Sequence, residues 1–510
     1  MTQSLTVEVS APGVTAIVNA GQVARAVARQ PTSTFFVAGY SPWGPAAAPT
    51  TVTSWAEYAR LFGGFDVNSY LDDALYYFFN YAPGAQAIVS RVVGGDAAVA
   101  TLTLQDTDDE DTLRVDAKYP SSRVDILVTI GAGTDAETFK LTVRSALLKY
   151  SKTLDNLQID AASIDYINQN QALVTVTNLN SITAAPGNIP DVLAATALAG
   201  GDDDFAGISS ASLIGIDDGE KRTGLQAFND ERFGTGQVAI PGITSDTVHA
   251  ALDAAATTYH RVALLDPPLA SVKDDLIAIR ANFGTWYSEL CWPWEEVLDF
   301  EGSGLKKFIP PSAIVAGECA RADRTLGVHR APANLVALPG VLDVERSVNG
   351  APQTDDNTRD VLNAHDINVV TPLPEAGVRL YGNRVMTADR RLQTIHAVRV
   401  MNLIYYSLKK GFGWAVFSPI DSQGRLFRDL RDSATTFLRS LYESGALWSP
   451  DNTEAGAFSV VCDSSNNPAG ELENGIVHIQ VGVHIVSAAE RIVINIDNVP
   501  LFQSLSVLQQ

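Results

Sequence analysis

Apolar and polar residues alternate with a period of two in the opening stretch SLTVEVSAPGVTAIVNA, from Leu5 to Val9 and again from Val14 to Val18, with Pro12 and Gly13 marking a turn between them. Side chains on a strand point alternately to its two faces, so the pattern predicts two extended pieces. The chain then becomes compactly apolar in TFFVA (Thr34 to Ala38) and enters a Gly/Pro loop, after which SWAEYARLFGG predicts a short helix capped by Ser54 and stopped by Gly63. An aromatic helix and a buried strand follow in SYLDDALYYFFNYAPGAQAIVSRVVGG. From about residue 97 to 200, period-two segments (AVATLTL, RVDILVTI, ETFKLTV, ALVTVTN) are separated by polar turns and predict an inserted β-rich domain.

Helix and strand alternate again from about 205 to 370: TGLQAFN, the strand GQVAIPG, a helix through TVHAALDAAATTY, the strand HRVALLD and a helix through SVKDDLIAIRANF. Near-continuous apolar strands joined by helices predict a parallel sheet with helical crossovers. Two helices are expected beyond residue 388. The first, ADRRLQTIHAVRVMNLIYYSLKKG, ends on Lys409, Lys410 and Gly411, which suit a helix C-terminus; the second, RLFRDLRDSATTFLRSLYESG, gathers Phe427, Leu430, Ala434, Phe437 and Leu441 on one face. Strands are expected from there on. In the last of them, Glu490 to Asn498, Ile492, Ile494 and Ile496 oppose Val493, Asn495 and Asp497, and such a terminal strand needs a partner for its unpaired N–H and C=O groups.

Composition narrows this picture. At 510 residues the chain exceeds a single core and should divide into roughly two to four domains, and 46% hydrophobic with 18% charged residues is the balance of a folded protein. A net charge of −22 argues against a general nucleic-acid binder, which needs clustered cations to displace counterions. Cys291, Cys319 and Cys462 are too scattered for a disulfide framework or zinc site and are expected to be buried thiols. No signal peptide precedes the first strand and no run reaches the roughly 18 apolar residues that span a bilayer, so folding in a cytoplasm without membrane insertion is expected.

Sites of chemistry are hard to find. GAGTDA (Gly131 to Ala136) has glycine spacing reminiscent of a dinucleotide turn, but a strand follows it where a phosphate-binding turn opens a helix, so a hairpin is expected. The acidic runs DTDDEDT and AGGDDDFAG lack the order of a calcium loop and are expected to be solvated. The seven histidines stand singly; His478 and His484 are expected in strands without metal-ligand spacing. Asp323, Arg324 and His329 could form an active site by residue type, but a buried structural network is the expectation. No catalytic, cofactor or metal site is assigned. The anomaly is electrostatic: residues 389–443 hold nine basic against five acidic residues, a local excess of four positive charges in an acidic chain. Arg428, Arg431 and Arg439 fall along one side of the second helix, where they serve either as a solvated face or as a dock for an acidic partner.

The ordered set APGVTAIV, TFFVAGYSPWGP, VTSWAEYARLFGG and YLDDALYYFFNYAPGAQAIVSRV resembles the N-terminal part of contractile tail sheath proteins of bacteriophages and phage-tail-like particles. LCWPWEEV, IPPSAIVAGECARADRTLGVHRAPAN and LNAHDINVVTPLPEAGVRLYGNRVM are similar to that family's middle block, and RRLQTIHAVRVMNLIYYSLKKGFGWAVFSPID with FLRSLYESGAL to its C-terminal domain. FFNYAPGAQ, where a richer Gly/Asn turn is usual, and the low lysine content depart from the pattern. The resemblance implies an α/β and α+β multidomain fold with a non-catalytic, subtilisin-like α/β domain (23–96 and 205–370), a β-rich outer insertion (97–204), an α+β inner domain (371–489), and arms at 1–22 and 490–510. It further implies a cofactor-free structural subunit that polymerises around an inner tail tube, meets baseplate and terminator proteins, and contracts from a metastable extended state. Leu5, Val7 and Val9 with Ile492, Ile494 and Ile496 are then the strand-exchange candidates, and Arg428, Arg431 and Arg439 the inner-tube candidates. A phage tail, a tailocin, an extracellular injection device and a type VI secretion sheath all stay open.

Overall fold

The structure, a computed structural model, describes residues 26–46, 48–300, 305–345 and 354–490. The strands expected at Leu5 to Val9, Val14 to Val18 and Ile492 to Asn498 lie outside the described residues. The chain divides into a larger unit, Gln30–Tyr406 with Ile485–Gln510, and a smaller one, Met1–Arg29 with Ser407–His484.

The larger unit begins with β1 (Thr34–Gly39), every residue of which is buried, as a compact apolar run at a sheet centre requires. β2 (Thr50–Val52) follows, and then α1 (Trp55–Phe62), where Ser54 caps the first turn and Gly63, at φ 99°, ends the last. α2 (Leu71–Tyr81) is buried on nearly all sides and leads to β3 (Ala87–Arg91). Arg91, 1% exposed, spends its guanidinium on three carbonyls, Ser41 at 2.8 Å, Gly44 at 2.9 Å and Pro120 at 2.8 Å, which ties the end of β3 to the loop after β1. Burial pushes its pKa down to about 10.

Between residues 98 and 202 the chain forms two small sheets around a core of their own. β4 (Thr101–Gln105), β5 (Asp111–Ala117) and β9 (Val174–Asn178) make one antiparallel sheet in the order β4-β5-β9. β6 (Leu127–Ala132), β7 (Phe139–Ser145), β8 (Tyr150–Leu157) and β10 (Leu193–Ala197) make the other in the order β10-β6-β7-β8, with α3 (Ala161–Asn170) between β8 and β9. GAGTDA is the β6–β7 hairpin, closed by the Gly133 N–H to Thr138 O bond. The acidic runs differ from expectation. Asp106 is fully buried, accepting from the N–H groups of Asp108 and Glu110 and from the Ser181 hydroxyl; Asp203, 1% exposed, accepts from Tyr40 Oη and Ser122. One carboxylate in each run organises a turn while its neighbours face water.

After α4 (Ser210–Ile214) the alternating pattern builds β11 (Gly236–Ala239), α5 (Asp246–Thr258), β12 (Val262–Leu265), α6 (Lys273–Arg280) and β13 (Ser288–Trp292). TGLQAFN forms only a 3₁₀ turn, Gly224–Phe228, because Gly224 adopts φ 56° against the backbone of Gly215. A three-stranded sheet of β14 (Glu295–Leu298), β15 (Lys306–Ile309) and β16 (Val341–Val344) surrounds α7 (Pro311–Thr325) in sequence. Pro310 is extended, and Pro311 occupies the first helical turn, where its missing N–H costs nothing. Gly317 lets α7 approach α2: a Cβ there would stand 2.8 Å from the Tyr81 ring. α8 (Asp356–Ala364), β17 (Asn368–Leu373) and β18 (Gly377–Leu380) complete the eight-stranded order β18-β17-β13-β12-β11-β1-β3-β2, parallel from β3 to β17 and antiparallel at both edges.

The two units divide within α9 (Ile395–Gly411), after Tyr406. Residues 371–406, expected in the inner domain, fall in the larger unit because β17 pairs with β13 and β18 with β17. The smaller unit holds α10 (Arg425–Glu443), α11 (Glu454–Ala457), β19 (Phe458–Val461), α12 (Ala469–Glu473) and β20 (Gln480–Val483). Leu426, Leu430 and Cys462 form a local core with Phe412, Trp414, Phe427 and Ile479 packed around it. The described residues after 445 thus include two short helices as well as strands. Val27 packs on Gly411, where a Cβ would lie 2.9 Å from its methyl groups.

Candidate functional site

α10 presents two opposed faces. Leu426, Leu430, Ser433, Ala434, Phe437, Leu438 and Leu441 are buried, and Arg425, Arg428 and Arg439 are exposed on the other side, with Arg431 half-exposed beside them. At about 100° per residue Arg428 and Arg439 point the same way. The three candidates are nevertheless unequal. Arg439 is held by a bidentate pair with Glu454, Nε to Oε2 at 2.8 Å and Nη2 to Oε1 at 2.9 Å, which raises the guanidinium pKa and lowers that of the carboxylate. Arg431 lies 3.7 Å from Asp432, a loose contact, and Arg428 donates to the Gln423 carbonyl at 3.2 Å.

The start of α10 is built against the usual rule. Gly424 occupies the N-cap in a left-handed conformation, the first turn has no acidic residue, and Arg425 opens it, although helix N-termini favour anions. Asp421 supplies the carboxylate, accepting the Arg425 N–H at 2.9 Å. The preceding loop exposes Val416, Ile420 and, completely, Phe417, which adopts φ 63°. An apolar side chain outside the favoured backbone regions and wholly in water costs free energy that the isolated loop does not recover. Net charge marks α10 in the sequence; for Phe417 no sequence signal stands out, since FGWAVF reads as an apolar run.

β19 and β20 pair antiparallel from Phe458–Val483 to Val461–Gln480 and have no further strand partner among the described residues. Gln480 and Gly482 are exposed and Val481 and Val483 half-buried, so β20 offers an accessible edge. The candidate strands containing Leu5, Val7, Val9, Ile492, Ile494 and Ile496 lie outside the described residues. His478 and His484 flank β20 instead of lying in strands: His478 Nε2 meets Glu471 Oε2 at 2.5 Å, a carboxylate that the sequence spacing did not bring near it, and His484 Nδ1 meets the Gly456 carbonyl at 3.0 Å. No cluster of three metal-ligating residues occurs among the described residues.

In the larger unit, polar groups at the ends of the parallel strands serve the fold. Asp266, after β12, accepts the Ser312 N–H at 2.8 Å, the Ser312 hydroxyl at 2.6 Å and the Gly242 N–H at 3.0 Å; Asp266 and Ser312 are both buried, so this hydroxyl gives its proton to a carboxylate and not to an imidazole. Burial raises the Asp266 pKa to about 6. Asp323 pairs with buried Arg399 at 2.5 Å and accepts from Thr32 Oγ1 at 2.6 Å, which makes it part of a structural network. All three cysteines are buried, and burial pushes their thiols up.

The family model for the phage tail sheath protein central domain matches residues 220–386. A putative prophage major tail sheath protein of Pseudomonas aeruginosa (strain UCBPP-PA14) is 28% identical over 287 residues, 55% of this chain and 70% of that protein. The tail sheath protein of Burkholderia phage BcepMu is 29% identical over 306 residues, 56% of this chain and 61% of the relative's length. Among solved structures, the PVC sheath of an extracellular contractile injection system in its contracted state aligns with TM-score 0.57 at 15% identity over 98% of this chain and 100% of that one. A sheath tail protein of Listeria innocua aligns with TM-score 0.58 at 14% identity over 86% of this chain and 90% of that one. Residues 220–386 thus belong to the phage tail sheath central domain family, the relatives by sequence and by fold are contractile sheath proteins, and the chain is a structural sheath subunit of the kind found in phage tails and phage-like injection systems.

Proposed function

We propose that this chain polymerises as a helical sheath around an inner tail tube, between baseplate and terminator proteins, and contracts from a metastable extended state to drive the tube through a cell envelope. The observation that carries this reading is the two-stranded β19–β20 sheet, a short structure with an accessible edge in a protein whose terminal segments alternate as strands. Strands donated by neighbours, Leu5 to Val9 and Ile492 to Ile496, complete such a sheet through main-chain hydrogen bonds, and repetition of this head-to-tail contact gives an open helix. The eight-stranded unit serves as a subtilisin-like body without catalysis, the insertion as the outer domain and the smaller unit as the inner domain. Contraction then draws on new interfaces formed between subunits, with no nucleotide involved. The exposed side of α10, with Arg428, Arg431 and the apolar Val416, Phe417 and Ile420 before it, suits an acidic tube wall, since aromatic and arginine side chains dominate binding surfaces.

Truncation after Glu490 tests the reading. The expected product melts as the full chain does but forms no tubes by negative-stain microscopy. Loss of cooperative melting would instead assign the terminal strand to the subunit's own core, and normal tubes would remove it from assembly.

A further inference from the structure

Two segments that lead toward the chain ends are held by a single turn of α9. On the N-terminal side Thr32 Oγ1 donates to Asp323 Oδ2 at 2.6 Å, the same oxygen that Arg399 Nη2 meets at 2.5 Å, and Arg399 Nη2 also donates to the Cys319 carbonyl at 3.2 Å. On the C-terminal side His396 Nε2 donates to the Val486 carbonyl at 3.0 Å, with the ring fixed by Asn383 Nδ2 donating to Nδ1 at 2.8 Å. Four residues further on, Glu490 pairs with Arg384, next to Asn383 in the chain. His396 and Arg399 are three residues apart and share a face of the helix. Both are buried, as are Thr32 and Asn383. The two segments they join, Val486 directly and Thr32 through the Asp323 carboxylate, lie more than 450 residues apart in the sequence.

From this juxtaposition we infer that the His396–Arg399 turn is a common root for both arms, fixing Thr32 and Val486, the described positions from which the chain runs in sequence toward Leu5 to Val9 and Ile492 to Ile496. The inference rests on the strand-exchange reading above and adds a positioning role to Thr32, Asp323, Arg399, His396 and Glu490. A strand tethered at a fixed root reaches its neighbour's sheet edge at high effective concentration. A loosened root spreads the same strand over more positions, and each docking must then order the tether as well. Because one helix turn carries both roots, a pull on either arm in a polymer enters the subunit at the same place.

The test uses the full chain with paired changes, Thr32→Val and Glu490→Met, which nearly keep side-chain size and remove one polar contact from each root. The expected result is a melting midpoint close to that of the unaltered chain and a critical concentration for tube formation raised about tenfold, the effect of roughly 1.4 kcal/mol lost per docking. Thr32→Ser, which keeps the hydroxyl, is expected to assemble normally. Wild-type critical concentration and helical order in the double variant overturn the inference, provided that truncation after Glu490 abolishes tubes. If the truncated chain also assembles, strand exchange itself fails. A lowered melting midpoint in proportion to the assembly defect, unrestored by Thr32→Ser, shows a purely structural role and equally overturns it.

Discussion

At the scale of single residues the informative groups are the buried acids, and Glu295 is the most exposed to test. It opens β14, is fully buried, and neither carboxyl oxygen has a hydrogen-bond partner among the described residues. Burial first, and then the nearby Asp266 carboxylate, hold its pKa well above the usual range, which favours the neutral acid in the folded chain. Glu295→Gln therefore replaces one neutral polar group by another of the same shape. The expected outcome in urea melts at pH 8 is an unchanged or higher midpoint, whereas Glu295→Lys should abolish cooperative folding; a large loss with Gln would mean that an ionised carboxylate is required. Little of this is legible in the sequence. WPWEEV reads as a half-polar strand, and only the sheet topology shows which of its two glutamates faces inward; likewise DTDDEDT and AGGDDDFAG hide Asp106 and Asp203 among solvated neighbours. Acidic residues in a run look alike until the chain closes a turn around one of them.

At the scale of elements, strong periodicity and capping chemistry are readable: Ser54 and Gly63 bound α1, GAGTDA is a hairpin, and α10 buries Leu430, Ala434, Phe437 and Leu441 together. What escapes such reading is local geometry set by distant backbone, as where Gly224 turns an expected helix into a 3₁₀ turn, and the division of the chain after Tyr406, which depends on strand pairing across long separations. The arginines of α10 illustrate the same boundary, since net charge marks them but only the fold separates Arg439, bound to Glu454, from Arg428 and Arg431. Their responses to charge reversal should differ accordingly. Arg428→Glu places an anion at the end of the first turn of α10, which the helix dipole favours, so the midpoint should hold or rise while decoration of purified tubes falls. Arg439→Glu should lower the midpoint, because it sets two carboxylates against each other. Tube decoration unchanged in the first variant would return this face of α10 to plain solvent contact.

At the scale of the whole molecule, buried acids and surface acids set opposite limits on stability. Burial raises Asp73 and Asp266 to about 6 and Glu289 to about 8, the last despite the hydrogen bond from Asn368. Such a group holds its proton in the folded chain after the unfolded chain has released it near pH 4, so stability falls as pH rises from there to the folded value, by roughly 1.4 kcal/mol for each pH unit between the two, and the penalty is complete above it. Asp155, Asp389 and Asp451, held down to about 2 by side-chain hydrogen bonds from Thr134, Arg391 and Ser449, act in reverse: their contribution is present above pH 4 and is lost as pH falls toward 2. The two sets leave a maximum near pH 4, and the self-repulsion of a chain at −22 steepens the decline on the alkaline side. Urea midpoints of the unassembled subunit should therefore fall from pH 5.5 to 8.5. Glu289→Gln should flatten that decline without moving the acid limb, because its amide keeps an oxygen to accept from Asn368 and has no proton to lose. A midpoint that rises across the same interval, or a slope unaltered by Glu289→Gln, would show that these carboxyls are ionised in the folded sheet and that relaxation of the strands, or water reaching them, meets the cost of their charge.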